Sequence, residues 1–160
     1  AFCPASNLFL GSGFFQWDRA NHHGVRWGLG CDSGGGNTLS LLRTLDDGYK
    51  VGMLQVVTSR REKCEESLRL SALKALYTAT LGSARCLHLE DEIGNFEVGK
   101  AADFVVLDTA ASRVLDERRG TDRPATSLEA ACHQFFGVMM LHVPEVVRAT
   151  YAGGSKLYSA

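Results

Sequence analysis

The chain has 160 residues, 45% hydrophobic and 22% charged, an ordinary globular composition that can bury one domain-sized core and argues against overall disorder. Seventeen Lys and Arg against eighteen Asp and Glu give a formal charge of -1 without a basic cluster, which excludes the electrostatic footprint of a phosphate-backbone binder. No apolar run approaches the roughly 18 to 20 residues that cross a bilayer, so no nucleic-acid or membrane partner is expected, and a soluble, cytoplasmic protein is.

Ala1 to Ser6 is short, apolar and strand-like, and it runs into a glycine-containing loop, Asn7-Leu8-Phe9-Leu10-Gly11-Ser12-Gly13. Val25 to Cys31 reads as a second buried strand, ending at Asp32-Ser33-Gly34-Gly35-Gly36-Asn37. From Thr38 to about Val57, Leu42, Leu45, Tyr49, Met53 and Val56 recur at the spacing of one helix face. Thr58 to Ser67, of mixed charge, is expected on the surface. Ser71 is a plausible N-cap for a helix through Thr80 that stops at Gly82, with a shorter helical piece over 84–89.

After Glu90 the periodicity changes. Ile93 to Phe96 and Val98 to Lys100 read as turns, and Asp103 to Asp108 as an apolar strand. Residues 109–126 are expected to be an exposed connection. Thr126 and Glu129 match a capping box that opens a helix closed by Pro144, and residues 146–158 read as a hairpin turning at Gly153-Gly154. The alternation of strand and helix points to an α/β layer or barrel.

Gly28 to Gly36 is the strongest candidate for chemistry. It sets one carboxylate, Asp32, at the C-terminal end of a strand expected to be buried, where α/β enzymes carry their reacting groups. Such a carboxylate suits a metal or a proton transfer, and it equally suits an N-cap of the following helix; spacing leaves the two readings level. A phosphate cradle is disfavoured, because no Lys-Ser/Thr pair follows Gly36 and Asp32 would repel the anion. His22, His23, His88, His133 and His142 show neither H-x-H nor HExxH spacing. Cys3, Cys31, Cys64, Cys86 and Cys132, odd in number and without a CxxC pair, are expected to be reduced and mostly buried.

Three blocks carry a resemblance to a known family: Phe2-Cys3-Pro4-Ala5-Ser6-Asn7 through Gly13, Gly28 to Gly36, and Ile93-Gly94-Asn95-Phe96-Glu97-Val98-Gly99-Lys100-Ala101-Ala102-Asp103. Together they resemble guanine deaminases of the metal-dependent amidohydrolase superfamily, over nearly the whole chain. The resemblance implies an α/β fold: residues 1–92 as the last two strands and helices of a TIM-like barrel, and 93–160 as part of a flanking β-sheet domain with a helix inserted at about 127–142. It implies that Asp32 is both metal ligand and catalytic proton carrier, with Asn7 a candidate at the barrel mouth for touching substrate. It further implies zinc, hydrolysis of guanine to xanthine and ammonia, and a homodimer. The family's other metal ligands, its catalytic glutamate and its guanine-recognising groups would all precede Ala1, so the chain is expected to be a C-terminal fragment inactive alone. Relatives acting on an adenosine derivative, a triazine or a cytosine-like base share the first two blocks, and a truncated non-enzymatic module is a further reading.

Overall fold

The computed structural model describes residues 1–58, 69–120 and 124–160. The mixed-charge segment expected on the surface at 58–67 falls, except for Thr58, outside these, as does Cys64.

The first strand expectation shrinks to one bridge. Phe2 pairs in parallel with Leu29; its N–H donates to the Gly28 carbonyl at 2.7 Å, and its carbonyl accepts from Gly30 at 3.0 Å. The chain then turns into helix α1 (Pro4–Phe9), which corrects the strand-then-loop reading of this segment. Proline at the first helical position explains the turn, since it fixes φ and loses no needed hydrogen bond there. Helix α2 (Trp17–His22) follows. The second segment, 25–31, likewise keeps strand pairing only at Leu29, whose N–H donates to Thr78 O at 3.2 Å.

Helix α3 (Leu41–Thr58) matches the periodic segment. Its buried stripe runs through Leu45, Gly48, Val51, Gly52 and Gln55, while Leu42, Tyr49 and Val56 flank it. Helix α4 (Ala72–Ala79) begins as expected at Ser71, whose side chain accepts from Lys74 N–H. It ends at Thr80, and α5 (Leu81–Cys86) starts at once, so Gly82 lies inside the second helix instead of terminating the first. Gly28 is packed against α5 so closely that a Cβ there would lie 2.7 Å from Ser83 Cα.

Strand β1 (Phe104–Leu107) sits where the apolar run predicts. The connection after it contains a helix, α6 (Arg113–Arg119), capped by Ser112 and anchored by buried Leu115. Its many charges had suggested only an exposed loop. Helix α7 (Leu128–Leu141) is capped by Ser127, one residue later than the Thr126 capping box, and ends at His142 in a left-handed conformation (φ 32°), two residues before Pro144. A 3-10 turn (Pro144–Val146) leads into the hairpin β2 (Val147–Ala152) and β3 (Ser155–Ser159). Gly153 and Gly154 both have positive φ, as a two-residue turn matched to strand twist requires. The sheet is antiparallel in the order β1-β2-β3, with Phe104 opposite Tyr151.

One core joins Phe2, Trp17, Leu29, Leu45, Val51, Leu70, Ala75 and Met139, so α7 closes over the same interior as the Phe2–Leu29 bridge. A smaller cluster of Leu115, Val138 and Val146 lies beneath α6 and the sheet. Among the described residues no helix is long and apolar enough to cross a membrane.

Candidate functional site

Asp32 follows the parallel bridge directly. Its backbone is left-handed (φ 51°), a conformation that non-glycine residues adopt rarely and that aspartate tolerates better than most. The turn is closed by Gly36 N–H, which donates to Asp32 O at 2.6 Å, and by Gly34 N–H, which donates to Gly36 O at 3.3 Å. These glycine amides bond within the turn, which removes the phosphate-cradle reading. The helix-cap reading falls too: α3 begins only at Leu41, and there Ser40 Oγ accepts from Arg43 N–H. Asp32 is exposed in this chain, contrary to the buried carboxylate expected from the sequence.

One oxygen of the carboxylate is held. Ser6 Oγ donates to Asp32 Oδ2 at 2.6 Å from helix α1, a contact that the sequence reading missed although Ser6 stands in the block that carried the resemblance. Ser6 itself is 4% exposed. Asn7, the next residue, is half-buried; its N–H donates to Cys3 O and its carbonyl accepts from Ser12 N–H. Among the described residues no side-chain hydrogen bond joins Asn7 to Asp32.

Two thiols lie near the carboxylate. Burial pushes the Cys3 thiol pKa up, and the charge of Asp32 adds to that. Cys31 Sγ is 3.4 Å from Thr44 Oγ1, tying the strand end to α3. Cys3, Cys31, Cys86 and Cys132 are free and half-buried, less enclosed than expected. Three of the histidines have other partners: His22 stacks edge-to-face on His23 in and beside α2, and His142 Nε2 lies 3.6 Å from buried Asp46 Oδ2. Among the described residues no group of three or more His, Cys, Asp or Glu side chains could hold a metal ion. Asp32 therefore brings a single carboxylate to this turn, and the described residues do not make a complete metal site around it.

Away from Asp32, an apolar groove of about 720 Å³ runs between α3, α4, α7 and the sheet, with Leu39, Leu76, Phe104, Val105, Phe135 and Tyr151 in its walls.

The model of the Amidohydrolase family matches residues 1–139. Guanine deaminase of Escherichia coli (strain K12) is 40% identical over 158 residues, which is 99% of this chain and 32% of that protein. The crystal structure of guanine deaminase from Bradyrhizobium japonicum superposes with a TM-score of 0.91 at 38% identity, covering 99% of this chain and 37% of that one. An adenosine deaminase from Xanthomonas campestris, solved with bound zinc, superposes at 0.68 with 26% identity over 96% of this chain and 30% of its own. The chain thus spans about a third of the length of these relatives, and its helices and small antiparallel sheet match a fragment of their barrel fold. With the family model covering most of its length and carrying the Asp32 turn within it, the chain belongs to the amidohydrolase family.

Proposed function

We propose that this chain is the C-terminal third of a guanine deaminase and supplies the aspartate of its metal site. The observation that carries the reading is 40% identity to the Escherichia coli enzyme along 158 residues, a span that includes the strand-end turn of Asp32. Within the longer polypeptide Asp32 would be one ligand of a divalent metal, zinc by analogy with the Xanthomonas campestris relative. A bound zinc supplies a hydroxide at neutral pH by lowering the pKa of its water. What this chain contributes is a carboxylate with Oδ2 anchored by Ser6 and Oδ1 left to accept and pass on a proton as ammonia departs from guanine. Asn7, one residue from Ser6, is proposed to border the substrate pocket. The division into a barrel portion at 1–92 and a sheet portion at 93–160, a cytoplasmic location and a homodimeric whole protein belong to the same proposal.

Asp32→Ala in the full-length polypeptide is expected to lower kcat for guanine by ~10²- to 10⁴-fold, the range of general acid–base contributions. Ammonia release measured against the unsubstituted protein checks this, and unimpaired turnover refutes the assignment. The likeness to an adenosine deaminase supports a second reading, deamination of another ring. A panel of guanine, an adenosine derivative, a triazine and cytosine separates the two by kcat/KM.

A further inference from the structure

Four threonines in or at the ends of helices share one kind of partner. Thr44, Thr58, Thr78 and Thr80 all turn their Oγ1 back to the carbonyl four residues earlier. Ser6 does not; the corresponding carbonyl, Phe2 O, accepts from Gly30 N–H across the parallel bridge. Its single proton instead crosses 26 residues of sequence to the Asp32 carboxylate. A buried hydroxyl spends its hydrogen bond where leaving it unmade would cost most, so the Ser6–Asp32 contact is built into the packing of α1.

The glycine run completes the enclosure. A Cβ at Gly35 would lie 2.7 Å from Asp32 Oδ2 and 3.1 Å from Ser6 Oγ, and one at Gly36 would lie 2.4 Å from Cys31 O and 3.2 Å from Ser6 N. Neither glycine has the positive φ that would by itself demand glycine, so space is the reason for both. The turn has to lie flat on the start of α1 for the hydroxyl to reach the carboxylate. We infer that Ser6 and Gly35 are positioning residues that hold Asp32 in one rotamer, Ser6 by its hydrogen bond and Gly35 by having no side chain. The inference rests on the proposed placement of Asp32 in a metal site.

The test uses the full-length polypeptide, with zinc affinity read by chelator competition and kcat and KM read on guanine. Ser6→Ala should weaken zinc and lower kcat by about 10- to 100-fold, as outer partners of metal ligands do, with KM and the melting temperature little changed. Ser6→Thr, which keeps the hydroxyl, should stay near the unsubstituted values. Gly35→Ala should reproduce the loss with Ser6 intact, and Ser6→Ala with Gly35→Ala should cost less than the two singly combined, because one of the crowded atoms is gone. Unchanged zinc affinity and kcat in Ser6→Ala, a loss confined to KM, or a Ser6→Thr as impaired as Ser6→Ala overturns the inference. If the unsubstituted protein ignores guanine while Ser6→Ala still loosens zinc, the substrate reading fails and the positioning stands; if the unsubstituted protein binds no zinc, both fail.

Discussion

At Asp32 the backbone and the side chain are constrained by different neighbours: the glycine turn fixes φ, and Ser6 fixes one oxygen. The carboxylate was legible as a strand-end acid followed by glycines. Its exposure was not, because a strand reads as buried from composition whether or not the segments that cover it belong to the same chain. Ser6 was illegible for another reason: a serine inside an apolar stretch carries no signal of which carboxylate it will meet 26 residues on. Space around glycines is likewise hidden from sequence, and Gly28 makes a test of it. Gly28→Ala would drive a methyl to 2.7 Å from the Ser83 backbone, so the strand end or α5 must shift. A destabilisation of about 1 to 3 kcal/mol is expected, the usual cost of overpacking, measured by denaturant unfolding of the full-length protein. A neutral result would show that α5 moves freely.

Among the elements, α3 and the β2–β3 hairpin were legible because period and turn chemistry agree there, with Leu42, Leu45, Tyr49 and Val56 on one side and paired glycines at the tip. Helix α6 escaped because Leu115 is its one buried residue and no stripe can be read from a single anchor. Helix α7 illustrates how close signals compete. Thr126 and Ser127 both suit an N-cap, and Ser127 takes it, accepting from Ala130 N–H at 3.1 Å. Ser127→Ala is expected to cost about 1 kcal/mol, with Thr126→Ala close to neutral, in equilibrium unfolding; the reverse ranking would restore the capping box. The turn before β1 is held by charge. Lys100, its side chain 9% exposed, bonds Glu90 O and pairs with Glu97 at 2.8 Å. Hydrogen bonds from Lys100, then Asn95, hold the Glu97 pKa below its ordinary 4.5. A carboxyl lowered on folding stabilises above its unfolded pKa and loses that contribution as pH falls through the lowered value. The turn should therefore loosen only below pH 4.5, and Glu97→Gln should remove that acid step from amide exchange at 94–101.

Over the whole molecule, the architecture ends in open edges. Strand β3 is exposed along its whole length, and among the described residues β1 pairs on one side only, with β2. The apolar groove of about 720 Å³ between α3, α4, α7 and the sheet keeps Leu39 at 85% exposure, and Phe96 and Val98 stand in solvent beyond it. A monomer that leaves such a groove and two strand edges uncovered presents apolar surface and unpaired backbone groups to any neighbour. The core of Phe2, Trp17, Leu29, Leu45 and Met139 nonetheless gives these elements a shared interior, so the chain has something to fold around even alone. Collapse around that core with sticky edges is thus the expected behaviour of the isolated 160 residues. Sedimentation velocity should find large, polydisperse species, and a hydrophobic dye should bind strongly at the groove. Coexpression with the preceding two thirds of the polypeptide should recover a discrete species with the dye signal lost. A soluble isolated monomer with cooperative two-state unfolding would mean that the groove and edges are tolerated, and would remove the physical argument that they are surfaces meant for the rest of the barrel.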